Sequence, residues 1–84
     1  MTIWKFQIPI CGMQHIEMPA AAKILTAQAQ GSQLCLWAEV DPDAVLKVRR
    51  IEIFGTGHPM GNGQRRYIAT VQMSNLVWHI YEAL

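Results

Sequence analysis

Turn-forming residues recur along this chain roughly every 8–15 residues, and the segments between them alternate apolar and polar side chains, a pattern that short strands satisfy. Thr2–Pro9 sets Trp4, Phe6 and Ile8 on one side and Ile3, Lys5 and Gln7 on the other, until Pro9 and Gly12 end it. Gln14–Met18 is a second short extended piece closed by Pro19, which suits a first helical position and predicts one helical turn over Ala20–Lys23. Ile24–Gln30 and Gln33–Val40 flank Gly31-Ser32, a two-residue hairpin signal in which glycine supplies the positive φ. Asp41-Pro42-Asp43 predicts a turn, and Ala44–Lys47 a connection or short helical turn. Lys47–Phe54 alternates again, with Val48, Arg50, Glu52 and Phe54 against Arg49, Ile51 and Ile53. A long loop follows to Gln64. Arg65–Met73 and Leu76–Glu82 are the last strands, separated by Ser74-Asn75.

About six or seven strands with short connections predict an all-β domain with little helix, a small antiparallel sandwich or partly open barrel. The chain of 84 residues is one domain, 1–84. It is 51% hydrophobic and 15% charged, so disorder is not expected, and an apolar surplus in so small a domain points to a homo-oligomer. A net charge of +1 exerts no global pull toward nucleic acid or an anionic membrane. No apolar run approaches the ~20 residues that span a bilayer. Met1 leads directly into Thr-Ile-Trp-Lys-Phe without the basic start and long apolar core of a secretory signal. Cys11 and Cys35 are too few for a disulfide framework, and two reduced thiols fit a cytoplasmic setting.

The chemistry-bearing feature is the stretch from Gly55 to Arg66. Its glycines Gly55, Gly57, Gly61 and Gly63 leave backbone N–H groups free to form an anion-binding nest. Arg49 and Arg50 precede it, and Arg65 and Arg66 close it. Arginine's planar fork matches phosphate. Gly55, Thr56, Gly57, His58, Arg50, Arg65 and Arg66 are therefore candidate ligand contacts. Adjacent strand residues point to opposite faces, so only one of each arginine pair can serve a common ligand. The competing reading is a plain hairpin loop with solvated arginines, because the lysine and helix start of a nucleotide-binding loop are missing. Trp37 and Trp78 are candidate stacking platforms for a base, against a default role in the core.

His15, His58 and His79 lack metal-ligand spacing, and no metal or cofactor is expected. Asp41 and Asp43 belong to a turn. Ser32 and Ser74 also fall in turns without a nucleophile elbow, so no nucleophile, base and orienting group assemble into a catalytic set.

The succession of Ile3–Ile10, Ile16–Gln30, Leu34–Ala44, Arg49–Met60, Arg65–Met73 and Leu76–Glu82 resembles a small domain family of unknown function found largely in phage and prophage genes. Its most specific pieces are Phe54-Gly55-Thr56-Gly57-His58-Pro59 and the stretch from Trp37 to Pro42. The resemblance implies a phage origin and no activity. Three functions remain open. The first is a non-enzymatic binding protein in the host cytoplasm, acting on a host protein or sequestering a nucleotide-type signal at the loop as a counter-defence protein. The second is a virion-associated structural or assembly protein. The third is a small phosphoesterase-like enzyme.

Overall fold

A computed structural model describes all 84 residues as seven strands and no helix. The strands are β1 (Thr2–Ile8), β2 (Met13–Pro19), β3 (Lys23–Gln30), β4 (Gln33–Val40), β5 (Leu46–Gly55), β6 (Arg65–Met73) and β7 (Leu76–Ala83). They form two antiparallel sheets, ordered β1-β4-β3 and β2-β5-β7-β6, which make a sandwich that does not close into a barrel. The Cα positions span only 16 Å in the thinnest direction, as two sheets stacked ~10 Å apart require.

The alternation read from the sequence places the core. Ile8, Leu34, Leu36, Ala38 and Val40 of the first sheet meet Met18, Ile51, Ile53, Val71 and Ile80 of the second. Burial of these side chains is the main favourable term holding the sheets together, at about 25 cal/mol per Å² of apolar surface. Gly31-Ser32 makes the predicted hairpin, with Gln30 opposite Gln33 and Gly31 at φ +61°. Ser74-Asn75 joins β6 to β7 in a second hairpin.

Three local expectations change. Ala20–Lys23 is not helical: Pro19–Ala22 is a tight turn closed by the Ala22 amide donating to the Pro19 carbonyl, Ala21 adopts φ +63°, the Ala20 amide donates to the Val45 carbonyl, and Lys23 already opens β3. The connection after Val40 also lacks a helical turn; the Asp41 carboxylate accepts from the Asp43 amide, and the Asp41 carbonyl accepts from the Ala44 amide. The largest change concerns the stretch after Gly55. β5 and β6 are not hairpin partners, because β7 lies between them and pairs with both. They therefore run parallel. β5 ends with Gly55 opposite Trp78, and β6 begins with Arg65 opposite Ala83. The connection must retreat five residues along β7, about 17 Å at strand rise, while crossing it. A plain hairpin cannot do this.

β3 and β6 pack against each other at one side of the sandwich. Each is bulged there. The register of β3 slips at Leu25, between Ile24 and Thr26, and that of β6 slips at Ile68, between Tyr67 and Ala69.

Candidate functional site

The structure divides the sequence-predicted site residues among four places. Gly55, Thr56, Gly57 and His58 form a turn at the end of β5, closed by the His58 amide donating to the Gly55 carbonyl at 3.0 Å. Gly57 supplies φ +87° at its third position. Gly55 is needed for space: a Cβ there would lie 2.9 Å from the His58 ring. Gly55→Ala is expected to push that exposed ring outward and cost about 1 kcal/mol, and His58→Ala in the same chain should relieve most of it; a double-mutant cycle by urea denaturation reads the coupling. The turn borders a shallow cleft of about 370 Å³ with Asn75, Val77 and Trp78, and no arginine reaches it. The indole N–H of Trp78 is buried without an acceptor.

Arg65 holds the loop and is not available to a ligand. Its Nε donates to Glu52 Oε1 at 2.7 Å, its terminal nitrogens donate to the carbonyls of Met60, Gly61 and Gly63, and its guanidinium lies 5.1 Å from the centre of the Phe54 ring. Three of the loop's carbonyls thus turn inward to a cation. This is the reverse of an anion nest in that segment. Arg50 shares the outer face of the sheet and donates to the Leu84 carbonyl at 3.3 Å. On the same face His79 bridges Thr56 (2.8 Å) and Thr70 (3.2 Å), and Thr70 meets the Tyr67 hydroxyl at 2.8 Å. Trp37 lies on the outer face of the other sheet, opposite Lys5 and Thr26, so it cannot share a ligand with the loop.

Arg66 points the other way, into the seam between β3 and β6. There a cleft of about 300 Å³ is lined by Lys23, Leu25, Arg49, Arg66, Ile68 and Glu82, among others. Glu82 is buried on the inner face of β7, with its side chain 8% exposed. Arg49 grips both of its oxygens, Nε to Oε2 and Nη2 to Oε1, and donates Nη1 to the Ala22 carbonyl at 2.8 Å. Those hydrogen bonds to Glu82, helped by its charge and opposed by burial, hold the Arg49 guanidinium above its ordinary pKa. Arg66 touches the same carboxylate only distantly, Nη1 to Oε1 at 3.7 Å, and its side chain is 64% exposed. Lys23 has no ion-pair partner. Lys23 also lines the cleft, and on β3 it stands opposite Glu39 of β4.

Sequence reasoning about the loop missed Lys23, Arg49 and Glu82. A signal was present. Arg49 is in phase with Ile51 and Ile53, and Glu82 with Trp78 and Ile80. A charged residue on the apolar side of each of two strands calls for a partner on that side.

Compared with curated proteins and with solved structures, the chain finds no match. Residues 1–84 match a family described as a domain of unknown function, DUF7352, and the chain belongs to that family.

Proposed function

We propose that this protein recognises a phosphate-bearing small molecule of the nucleotide class at the seam cleft, without turning it over. The observation that carries the reading is the unequal use of the arginines. Arg49 and Arg65 are committed to carboxylates and carbonyls within the protein, whereas Arg66 keeps most of its donors free at the cleft. The buried Arg49–Glu82 pair fixes the floor against which Arg66 is set. A guanidinium fork with free donors at such a cleft matches a phosphate group in both charge and geometry. Both bounding strands are bulged at this point, and bulges re-aim side chains next to functional sites. The resemblance to phage-encoded domains supports a setting in which such a protein withdraws a host nucleotide signal.

The test is a thermal-shift comparison of nucleotides, cyclic dinucleotides and ADP-ribose with the matching nucleosides. A phosphate ligand at 100 times its Kd should stabilise the fold by about 2.7 kcal/mol, or at least ~10 °C for a chain of this size. Arg66→Ala should abolish most of that shift and leave the ligand-free Tm nearly unchanged, because the side chain is exposed. No shift with any phosphate compound would end the reading.

A second reading, an interaction or assembly protein, is favoured by the bare apolar edge of β1, where Ile3 is 56% and Trp4 37% exposed.

A further inference from the structure

The four sheet edges of this sandwich are unequally protected. β3 and β6 are both bulged and pack against each other. β2 carries His15 and Glu17 and ends at Pro19, which removes a donor. Bulges, charges and proline are the means by which edges avoid pairing with other chains. β1 has none of them along its free side. Its register with β4 is unbroken from Thr2 opposite Val40 to Ile8 opposite Leu34.

Its two long polar side chains do not shield it either. Lys5 reaches back over β4 to donate to Gln30 Oε1 at 2.8 Å, and Gln7 reaches back to Gln33 Oε1. Both are drawn over their own sheet and away from the edge. The rim that remains is Met1, Ile3 and Trp4, which are 84%, 56% and 37% exposed. The sheet that owns β1 has three strands against four in the sheet it faces, so the inner side of Trp4 lacks a neighbour beyond β1.

We propose that Thr2–Ile8 pairs antiparallel with the same strand of a second copy across a two-fold axis, making one six-stranded sheet from two chains. Charge and shape favour a second copy. With the Lys5 side chains drawn inward, the two rims bring no like charges together, and a two-fold contact needs only a self-complementary strand. Among the registers that keep the two Lys5 apart, the one that pairs the largest exposed ring of the strand with itself sets Trp4 opposite Trp4 and Ile3 opposite Lys5 of the second copy. The paired tryptophans then close the open end of both cores. One strand edge and the exposed parts of Met1, Ile3 and Trp4 from each copy make a contact at the small end of the specific interfaces, so a weak dimer is expected. This inference is independent of the anion site.

Two experiments test it. Sedimentation of the wild-type chain over a concentration series should show a monomer–dimer equilibrium, shifted at least tenfold toward monomer by Ile3→Lys, which sets a cation against Lys5 of the other copy. Directly opposed residues in an antiparallel pair have Cα atoms ~4.5–5.5 Å apart, within disulfide reach. In a Cys11→Ser background, Trp4→Cys should therefore crosslink two chains on oxidation, whereas Lys5→Cys should not. A wild-type chain that stays monomeric well above micromolar concentration overturns the proposal and leaves β1 free for a foreign strand. Equal crosslinking at positions 4 and 5, or a dimer insensitive to Ile3→Lys, overturns it as well.

Discussion

Replacing Glu82 by alanine is expected to destabilise the fold by about 3 kcal/mol, the lower end of what breaking a buried ion pair costs. The reason is the group left behind. Arg49 gives three donors to Glu82 and to the Ala22 carbonyl, and its side chain is only 19% exposed. Without the carboxylate its charge remains at the seam with one hydrogen bond, and that residual exposure lets water offset part of the loss. For a domain of this size the change lowers Tm by roughly 12–24 °C. It is also a large share of a total stability that, at 0.05–0.15 kcal/mol per residue, is about 4–12 kcal/mol. Glu82→Gln keeps acceptors without the charge and should cost about half as much. Replacing Arg49 and Glu82 together by methionine should recover most of the loss, because the cost lies in the unpaired charge. Thermal denaturation of the four proteins checks the ranking. The pH dependence follows from the direction of the Arg49 shift. A base whose folded pKa is raised contributes its stability fully below its unfolded pKa and loses it only as pH climbs through the folded value. For this guanidinium that window lies above the working range, so Arg49 itself should confer no loss of stability between about pH 6 and 10.

Arg65→Ala is the second large effect, expected at about 2 kcal/mol with a local readout. The substitution removes an ion pair to Glu52, three bonds to loop carbonyls and the contact with the Phe54 ring. Individually these are modest, near 1 kcal/mol for a hydrogen bond and about 0.5–2 for a cation–π contact. Their loss is partly compensated because the freed carbonyls can be hydrated. Protease cleavage between Thr56 and Gln64 should accelerate at least tenfold, while the urea m-value stays unchanged. Arg65→Lys should restore less than half, since an ammonium cannot reach the carboxylate and the scattered carbonyls with one rigid fork. Cleavage at the wild-type rate in Arg65→Ala would show that the loop holds its shape without this clamp.

The strands were legible in the sequence because period-two alternation is local. Ile51 and Ile53 could be assigned inward, and Gly31-Ser32 could be read as a hairpin, from neighbouring residues alone. The Ala20–Lys23 turn was misread because proline suits a helix start, but the demand at Ala21 is set by the Val45 carbonyl, a partner distant in sequence. The crossover from β5 to β6 was illegible for the same reason. Nothing between Gly55 and Arg65 records that Leu76–Ala83 will lie between the two strands. The candidate site moved accordingly. Arg65 and Arg66 are neighbours in sequence, yet one folds the loop on the outer face and the other enters the seam. The alternation rule foresaw that the arginines would separate, but it could not say which of them would find internal partners.

The insertion of β7 between β5 and β6 also bears on how the chain matures. β5 and β6 each hold half of the ladder that β7 completes, and they touch each other through no backbone bond. During synthesis both must wait with open edges until Leu76–Ala83 has emerged. Only then can the four-stranded sheet assemble around its last-made member. A sheet whose keystone is translated last gains its order in one late step, dominated by pairings distant along the chain, which places it among slow-folding topologies. In the interval before that step, the exposed rims of Leu46–Gly55 and Arg65–Met73 are the segments most in need of protection from aggregation.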